Sequence, residues 1–176
     1  KELMAGKLRK MLGRADDQAI IDLMHLIETQ SHATLNQWAV KMAGKYALPI
    51  LHAHEVTSLD GLYAQSCAYL RQEQTLKELK GIFQEATKTV RELKDPIVTA
   101  AARALLTACK TIQTPTGALG YVFYLAAAVA YQELGEMEKP ETYDARAQAL
   151  FVSLFHELEI IAIPDEKNPV RVNWNC

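Results

Sequence analysis

The stretch DPIVTAAARALLTACKTIQTPTGALGYVFYLAAAVAYQELG, residues 95–135, decides the fold. It contains two pairs of the same kind, Asp95-Pro96 and Thr114-Pro115, each a capping residue just before a proline. Proline suits the first position of a helix because an N–H group there would have no partner within the helix. The side chain of the preceding Asp or Thr can accept hydrogen bonds from the free N–H groups of the first turn. The stretch therefore predicts two consecutive helices, the second ending at Gly135.

Both predicted helices have faces rich in alanine, at 100–108 and at 125–130. Small side chains let two helix axes approach toward the lower end of the roughly 8–10 Å range. Gly117 and Gly120 fit the same close approach. We therefore expect these two helices to pack against each other at the centre of the fold.

Apolar residues recur at helical spacing through most of the remaining chain, and no segment alternates as a strand does. Pro49 is expected to kink or stop its helix near Leu48. The sequence predicts an all-α, single-domain bundle of about seven helices over residues 1–176. This domain includes a basic N-terminal helix or arm (1–14) and an irregular C-terminal tail (164–176). The other helix boundaries are expected at Gly13 (an end), and at Asp16 or Asp17, Ser31, Leu62, Thr75 and Pro140 (starts).

Composition narrows the classes of function. The chain has 176 residues, a formal net charge of −2 and a pI near 6.2. It therefore lacks the excess of basic residues that is typical of nucleic-acid-binding proteins. Its basic N-terminal stretch favours a solvated helix face over an anion-attracting arm. The longest apolar run, 121–131, is shorter than the roughly 18–20 residues of a membrane span. Three cysteines without paired spacing indicate a reducing compartment, so we expect a cytoplasmic protein that binds neither nucleic acid nor membrane.

The densest cluster of chemically active side chains is PILHAHEV, residues 49–56, with His52, His54 and Glu55. A metal site needs three or four converging ligands. On a helix, however, histidines two positions apart point about 200° apart, and no second cluster is spaced to complete the site. We interpret the stretch as a polar helix end or surface loop. We predict no metal site, no cofactor and no catalytic residue.

Several motifs together resemble the bacterial putative immunity protein family, over about residues 15–176. They are Thr29-Gln30-Ser31, Pro115-Thr116, Asn168-Pro169, Trp174 and Cys176, combined with the apolar and alanine pattern of 95–131. The resemblance implies a small all-α protein that neutralises a partner toxin by binding it.

The chain also departs from that family's pattern. Where members usually carry an acidic-acidic-Arg-Pro-Arg stretch, it has VTSLDG at 56–61. It has Ala86-Thr87 in place of a Cys-His pair, and Gln113 and Gly117 in place of a His-x-x-x-His. The polar site that these residues would form is therefore largely lost. The polar residues that remain are expected to anchor helix ends rather than line a remnant pocket: Arg91, Arg103, Thr111 and Thr116.

Three hypotheses of function follow. The first is a non-catalytic protein that binds a protein partner such as a cognate toxin. The second is an enzyme or small-ligand binder with a polar pocket between the central helices, whose best residues are Arg91, Arg103, Thr111, Thr116 and Tyr124. The third is a structural homo-oligomer that associates through residues 118–134 or through the tail.

Overall fold

The computed structural model describes residues 7–174, so the predictions made for residues 1–6 and for Cys176 lie outside it. Within this range the fold is a single all-α bundle of seven helices with an irregular C-terminal tail, as predicted. None of these helices is long and apolar enough to cross a membrane. The helices are α1 (Gln18–Glu28), α2 (His32–Ala53), α3 (Asp60–Leu70), α4 (Leu76–Arg91), α5 (Pro96–Cys109), α6 (Gly117–Leu134) and α7 (Pro140–Ile161), with a 3₁₀ turn at Lys110–Ile112.

Helices α5 and α6 form the centre of the bundle, which confirms the expectation from their alanine-rich faces. They make the most extensive helix–helix contact, and α2 packs across both of them. Gly117 permits this approach, since a Cβ atom there would lie 3.2 Å from both the Cγ2 and the carbonyl oxygen of Thr107. Tyr121 of α6 and Trp38 of α2 meet edge to face in the core, with ring centroids 5.1 Å apart.

Most of the predicted helix boundaries are confirmed. The side chains of Ser31 and Thr75 each accept from the backbone N–H three residues on, at 3.2 Å. Asp95 Oδ1 accepts from the N–H groups two and three residues on, at 2.9 and 3.0 Å. Gly135 ends α6 with a φ of +78°, a left-handed conformation that glycine adopts at little cost, and Pro140 is the first residue of α7.

The predicted start of α6 at Thr114-Pro115 is wrong by about two residues. The α-helix begins at Gly117, and Thr116 precedes it without a side-chain cap. The N–H of Gly117 donates to the carbonyl oxygen of Thr114 at 2.9 Å, which is the three-residue spacing of a tighter turn. This turn follows the 3₁₀ segment, and the α-helix starts where Gly117 packs against α5.

Pro49 was expected to kink or stop its helix near Leu48, and the stop is wrong, because α2 continues through Pro49 to Ala53. Ile50 and Leu51 are 7% and 0% exposed, so the residues after the proline are held in the core. Pro49 and Lys45 lie on the exposed side of α2. The carbonyl group that loses its N–H partner to the proline ring is therefore on the side where water can replace it.

The predicted first helix, ending at Gly13, is wrong over its described part, since residues 7–14 are not helical. Their backbone groups bond to α6 instead. Leu12, which is buried, donates its N–H to the carbonyl oxygen of Phe123 at 3.1 Å, and the Arg9 N–H donates to the Tyr131 hydroxyl at 3.0 Å. Gly13 has a φ of +108°, which favours glycine and is incompatible with a helix continuing through it.

The C-terminal tail is held by Gln30, in the link between α1 and α2. This side chain is buried, and its Oε1 accepts from the Ile163 N–H at 2.8 Å while Nε2 lies 3.3 Å from the Ile163 carbonyl oxygen. The Gln30 carbonyl oxygen accepts from the Val170 N–H at 2.8 Å. Trp174 donates its indole N–H to the Glu28 carboxylate. The irregular tail therefore has a fixed position against the start of the bundle.

Candidate functional site

The PILHAHEV stretch forms the C-terminal end of α2, as predicted. His52 Nε2 lies 2.7 Å from Asp60 Oδ1, and His54 Nε2 lies 2.8 Å from Gln132 Oε1. The two histidines therefore have different partners rather than a shared centre. Among residues 7–174 no group of three or more His, Cys, Asp or Glu side chains is placed to hold a metal ion.

The predicted site residues occupy several parts of the bundle. Arg103 and Tyr124, both half-buried, are brought together where α5 meets α6, with the guanidinium carbon 6.0 Å from the ring centroid. Arg91 is exposed in the last turn of α4. Thr116 is exposed just before α6. A ligand-binding role for these four residues stays a prediction.

Thr111, the fifth predicted residue, is fully buried in the 3₁₀ turn. Its hydroxyl has two acceptors for its single proton, the Ala108 carbonyl oxygen at 2.8 Å and Asn36 Oδ1 at 3.1 Å. Asn36, on α2, is 1% exposed. Thr111 thus contacts a buried amide that was not predicted from the sequence.

That amide lies in a groove of about 800 Å³ between the first half of α2, the end of α3 and the turn that follows α3. We call it the α2–α3 groove. Its volume is within the roughly 300–1,000 Å³ of ligand pockets in proteins. The residues that line it are Ala33, Asn36, Gln37, Val40, Lys41, Tyr63, Cys67, Tyr69, Leu70, Arg71, Gln72, Gln74 and Ile112.

The inner part of the groove combines apolar and polar groups. Val40 and Asn36 are buried, and Tyr63 is half-buried on the opposing helix. Burial raises the pKa of the Tyr63 phenol, and the neighbouring Cys67 thiol raises it further. The phenol therefore stays neutral at physiological pH, as a hydrogen-bonding group rather than a base.

The rim of the groove is basic and rich in amides. Lys41 and Arg71 are its charged lining residues, and both are exposed. Arg71 donates from Nε to the Glu73 carboxylate at 2.8 Å. Gln72 has a φ of +63°, in the left-handed region that non-glycine residues rarely occupy. Two cations and several amide groups can bind an anionic or peptide-like ligand through hydrogen bonds and charge.

A family model described as Imm-5 like putative immunity protein matches residues 25–151. The chain belongs to this family. No curated protein and no solved structure matches the chain. The match confirms the resemblance inferred from the sequence, over a shorter range than the residues 15–176 expected.

Within this immunity-like family, the match spans α2 to α6 in full, so the whole α2–α3 groove lies inside it. The tail, which Gln30 holds, lies outside it. The groove could not be predicted from the sequence, because its walls come from segments about thirty positions apart. The local signal that marks it is the polar run RQEQ at 71–74, which separates two helices without a glycine at the helix end.

Proposed function

We propose that this protein is a non-catalytic immunity protein that neutralises a partner toxin in the cytoplasm by binding it. Membership of the immunity-like family over residues 25–151 carries this proposal. Neutralisation by binding requires a complementary surface that buries roughly 1,600 Å² in total, and it requires no reacting side chain. A closely packed helical bundle supports this role, since a rigid surface loses little entropy on binding.

A co-expression assay tests the proposal. The toxin candidates are the products of the genes next to this one, each expressed alone and with this protein. We expect the protein to restore growth with one of them, and the purified pair to elute as a complex in size-exclusion chromatography with light scattering. Failure to restore growth with every neighbouring candidate would contradict the proposal.

The same assay separates binding from catalysis. If growth is restored without a complex, and mass spectrometry finds the toxin covalently changed, the protein acts as an enzyme. Restored growth with an unmodified toxin in a stable complex supports the proposed mechanism. Light scattering on the protein alone also tests the homo-oligomer hypothesis, which requires a mass above that of one chain.

A small-ligand binder is the second candidate, and the volume and polar rim of the α2–α3 groove favour it. Native mass spectrometry of the protein purified from its natural host tests this function. A stoichiometric small molecule, displaced on denaturation, would support it. Protein that carries no such molecule and still neutralises a toxin would leave the first proposal in place.

A further inference from the structure

The inner wall of the α2–α3 groove carries a buried side-chain amide. Asn36 is 1% exposed, and its Oδ1 lies 3.1 Å from the hydroxyl of the fully buried Thr111. The Nδ2 group of the same side chain is a hydrogen-bond donor, and Asn36 is one of the residues that line the groove. Buried polar groups in folded proteins are almost always hydrogen-bonded. An acceptor oxygen that enters the groove would therefore meet an amide donor rather than apolar groups alone.

The charge at the rim is opposite in sign to that of the chain as a whole. The chain carries a formal net charge of −2, yet both charged residues that line the groove, Lys41 and Arg71, are cations. Within residues 7–174, Lys41 forms no ion pair, and the hydrogen bond that Glu73 accepts from Arg71 comes from Nε. An arginine has further N–H donors on its two Nη atoms, which can bind a second carboxylate. Lys41 adds a cation that no carboxylate in this range offsets.

Gln72 occupies a position that glycine would fill at lower cost. It follows the end of α3 with a φ of +63°, and the next N–H, that of Glu73, bonds back to the Ala68 carbonyl oxygen at 2.8 Å. Glycine is the usual residue at such a helix end. Glu55 has the same conformation after α2, with a φ of +60° and the next N–H bonded back five residues, so this turn is a recurring helix end. At the end of α3 it places Gln72 on the rim of the groove.

We propose that the α2–α3 groove receives an acidic loop of the partner protein. A carboxylate of that loop binds between Lys41 and Arg71, and an oxygen atom deeper in the groove accepts from Asn36 Nδ2. Gln37 and Gln72 also line the groove, and their side-chain amides bond peptide groups of the same loop. This inference rests on the proposed immunity function and adds the chemistry of the segment that is recognised.

A peptide titration tests the groove without knowledge of the partner. The probe is a capped tetrapeptide with two central glutamates, added to the ¹⁵N-labelled full chain at low salt and followed by NMR. We expect shifts in the amides of residues 33–41 and 69–74. The glutamine version of the peptide should bind at least about fivefold more weakly, since it lacks the charge that Lys41 and Arg71 attract.

Charge reversal supplies the matched controls. The double variant Lys41→Glu/Arg71→Glu should weaken binding of the glutamate peptide at least about tenfold, equivalent to about 1.4 kcal/mol. Lys80→Glu, on the exposed face of α4, should leave it unchanged. Circular dichroism checks that each variant is folded. Absent shifts, shifts in another region, or equal binding of the two peptides would each contradict the inference.

A second readout separates this inference from the proposed function. Once a neutralised toxin is identified, Lys41→Glu/Arg71→Glu should abolish protection while Lys80→Glu retains it. If the double variant still protects, the groove proposal is wrong and the immunity function stands. If no toxin is neutralised, the immunity function fails, and the peptide titration decides the chemistry of the groove. A co-purified small molecule that competes with the peptide would overturn the protein-loop assignment.

Discussion

Tyr121 is a fully buried residue whose hydroxyl has no hydrogen-bond partner within the described range 7–174. Burial also raises the pKa of its phenol well above the ordinary value. A buried hydroxyl without a partner costs about 1–3 kcal/mol, and the phenylalanine ring keeps the packing. We therefore expect Tyr121→Phe to raise the free energy of unfolding by up to about 1 kcal/mol, as measured by urea denaturation.

Tyr143→Phe is the matched control, because its hydroxyl has two partners. It accepts from the Glu138 N–H at 3.0 Å and donates to the Gly135 carbonyl oxygen at 2.5 Å. This substitution should lower the free energy of unfolding by about 1 kcal/mol. A loss of stability in Tyr121→Phe equal to that in Tyr143→Phe would mean that the Tyr121 hydroxyl is hydrogen-bonded after all.

At the scale of helices, two glycines inside helices have opposite surroundings. A Cβ atom on Gly81 of α4 would have no heavy atom within 4 Å, whereas one on Gly44 of α2 would lie 2.5 Å from the Tyr63 ring. Alanine is favoured over glycine in a helix interior by about 1 kcal/mol. Gly81→Ala should therefore raise the melting temperature by a few degrees.

Gly44→Ala should instead lower the melting temperature, because Tyr63 must move and α3 must shift away from α2. The same change should also disturb the α2–α3 groove, which Tyr63 lines. Differential scanning calorimetry of the two variants measures both effects. Equal shifts of the same sign would show that intrinsic helix propensity, rather than the packing of α2 on α3, dominates at Gly44.

Helices α6 and α7 are joined by an ion pair with two hydrogen bonds. Arg146 donates from Nε and Nη2 to the two carboxylate oxygens of Glu133, at 2.6 and 3.0 Å. These hydrogen bonds lower the pKa of Glu133, and burial opposes the shift. Because the pKa is lower in the folded state, the stabilisation is complete above the ordinary carboxyl pKa. It is lost as the pH falls through the lowered value.

We therefore expect Glu133→Gln to lower the free energy of unfolding at pH 7 by about 0.5–1 kcal/mol, the range of a partly exposed pair. The difference from the unsubstituted protein should disappear below the pKa of folded Glu133. Denaturation series between pH 2.5 and pH 7 measure it. As a control, Glu159→Gln removes an exposed carboxylate 3.4 Å from His156 and should change little across this range. A difference for Glu133→Gln that persists at the lowest pH would show that packing, not charge, is responsible.

The helices could be predicted where local chemistry decides them. Asp95-Pro96, Thr75 and Ser31 act through backbone groups two or three residues away, so their caps are visible in the sequence. A helix that continues past Pro49 could not be predicted, because tertiary burial of the residues after it outweighs the lost hydrogen bond. The non-helical path of the stretch ending at Gly13 could not be predicted either, because its backbone bonds to α6, more than a hundred positions away.

At the scale of the whole molecule, the groove could not be predicted from the sequence either, because it is formed by residues that are far apart in the chain. Asn36 and Gln72 have ordinary neighbours in the chain and line one groove only when α3 folds back onto α2. Thr111 is a predicted site residue, and its contact with Asn36 connects it to the groove. In the motif Thr29-Gln30-Ser31 two residues have roles in folding, since Gln30 holds the tail and Ser31 caps α2.

Gln30 therefore links the two ends of the fold, and its replacement is the sharpest test of the tail's position. In Gln30→Leu the Ile163 N–H loses its acceptor, and the hydrogen-bonded link between tail and bundle weakens. We expect the free energy of unfolding to fall by about 1–3 kcal/mol, the cost of a lost buried hydrogen-bonding group. Hydrogen exchange at Ile163 and Val170 should become faster.

The control is Gln84→Leu, the same substitution on the exposed face of α4. It should change stability by less than about 0.5 kcal/mol and leave exchange at both tail amides unchanged. If Gln30→Leu lowers stability but the two amides keep their protection, the tail is held by other contacts, such as that of Trp174 with Glu28. If exchange becomes faster while toxin protection is retained, the tail stabilises the bundle without forming part of its binding surface.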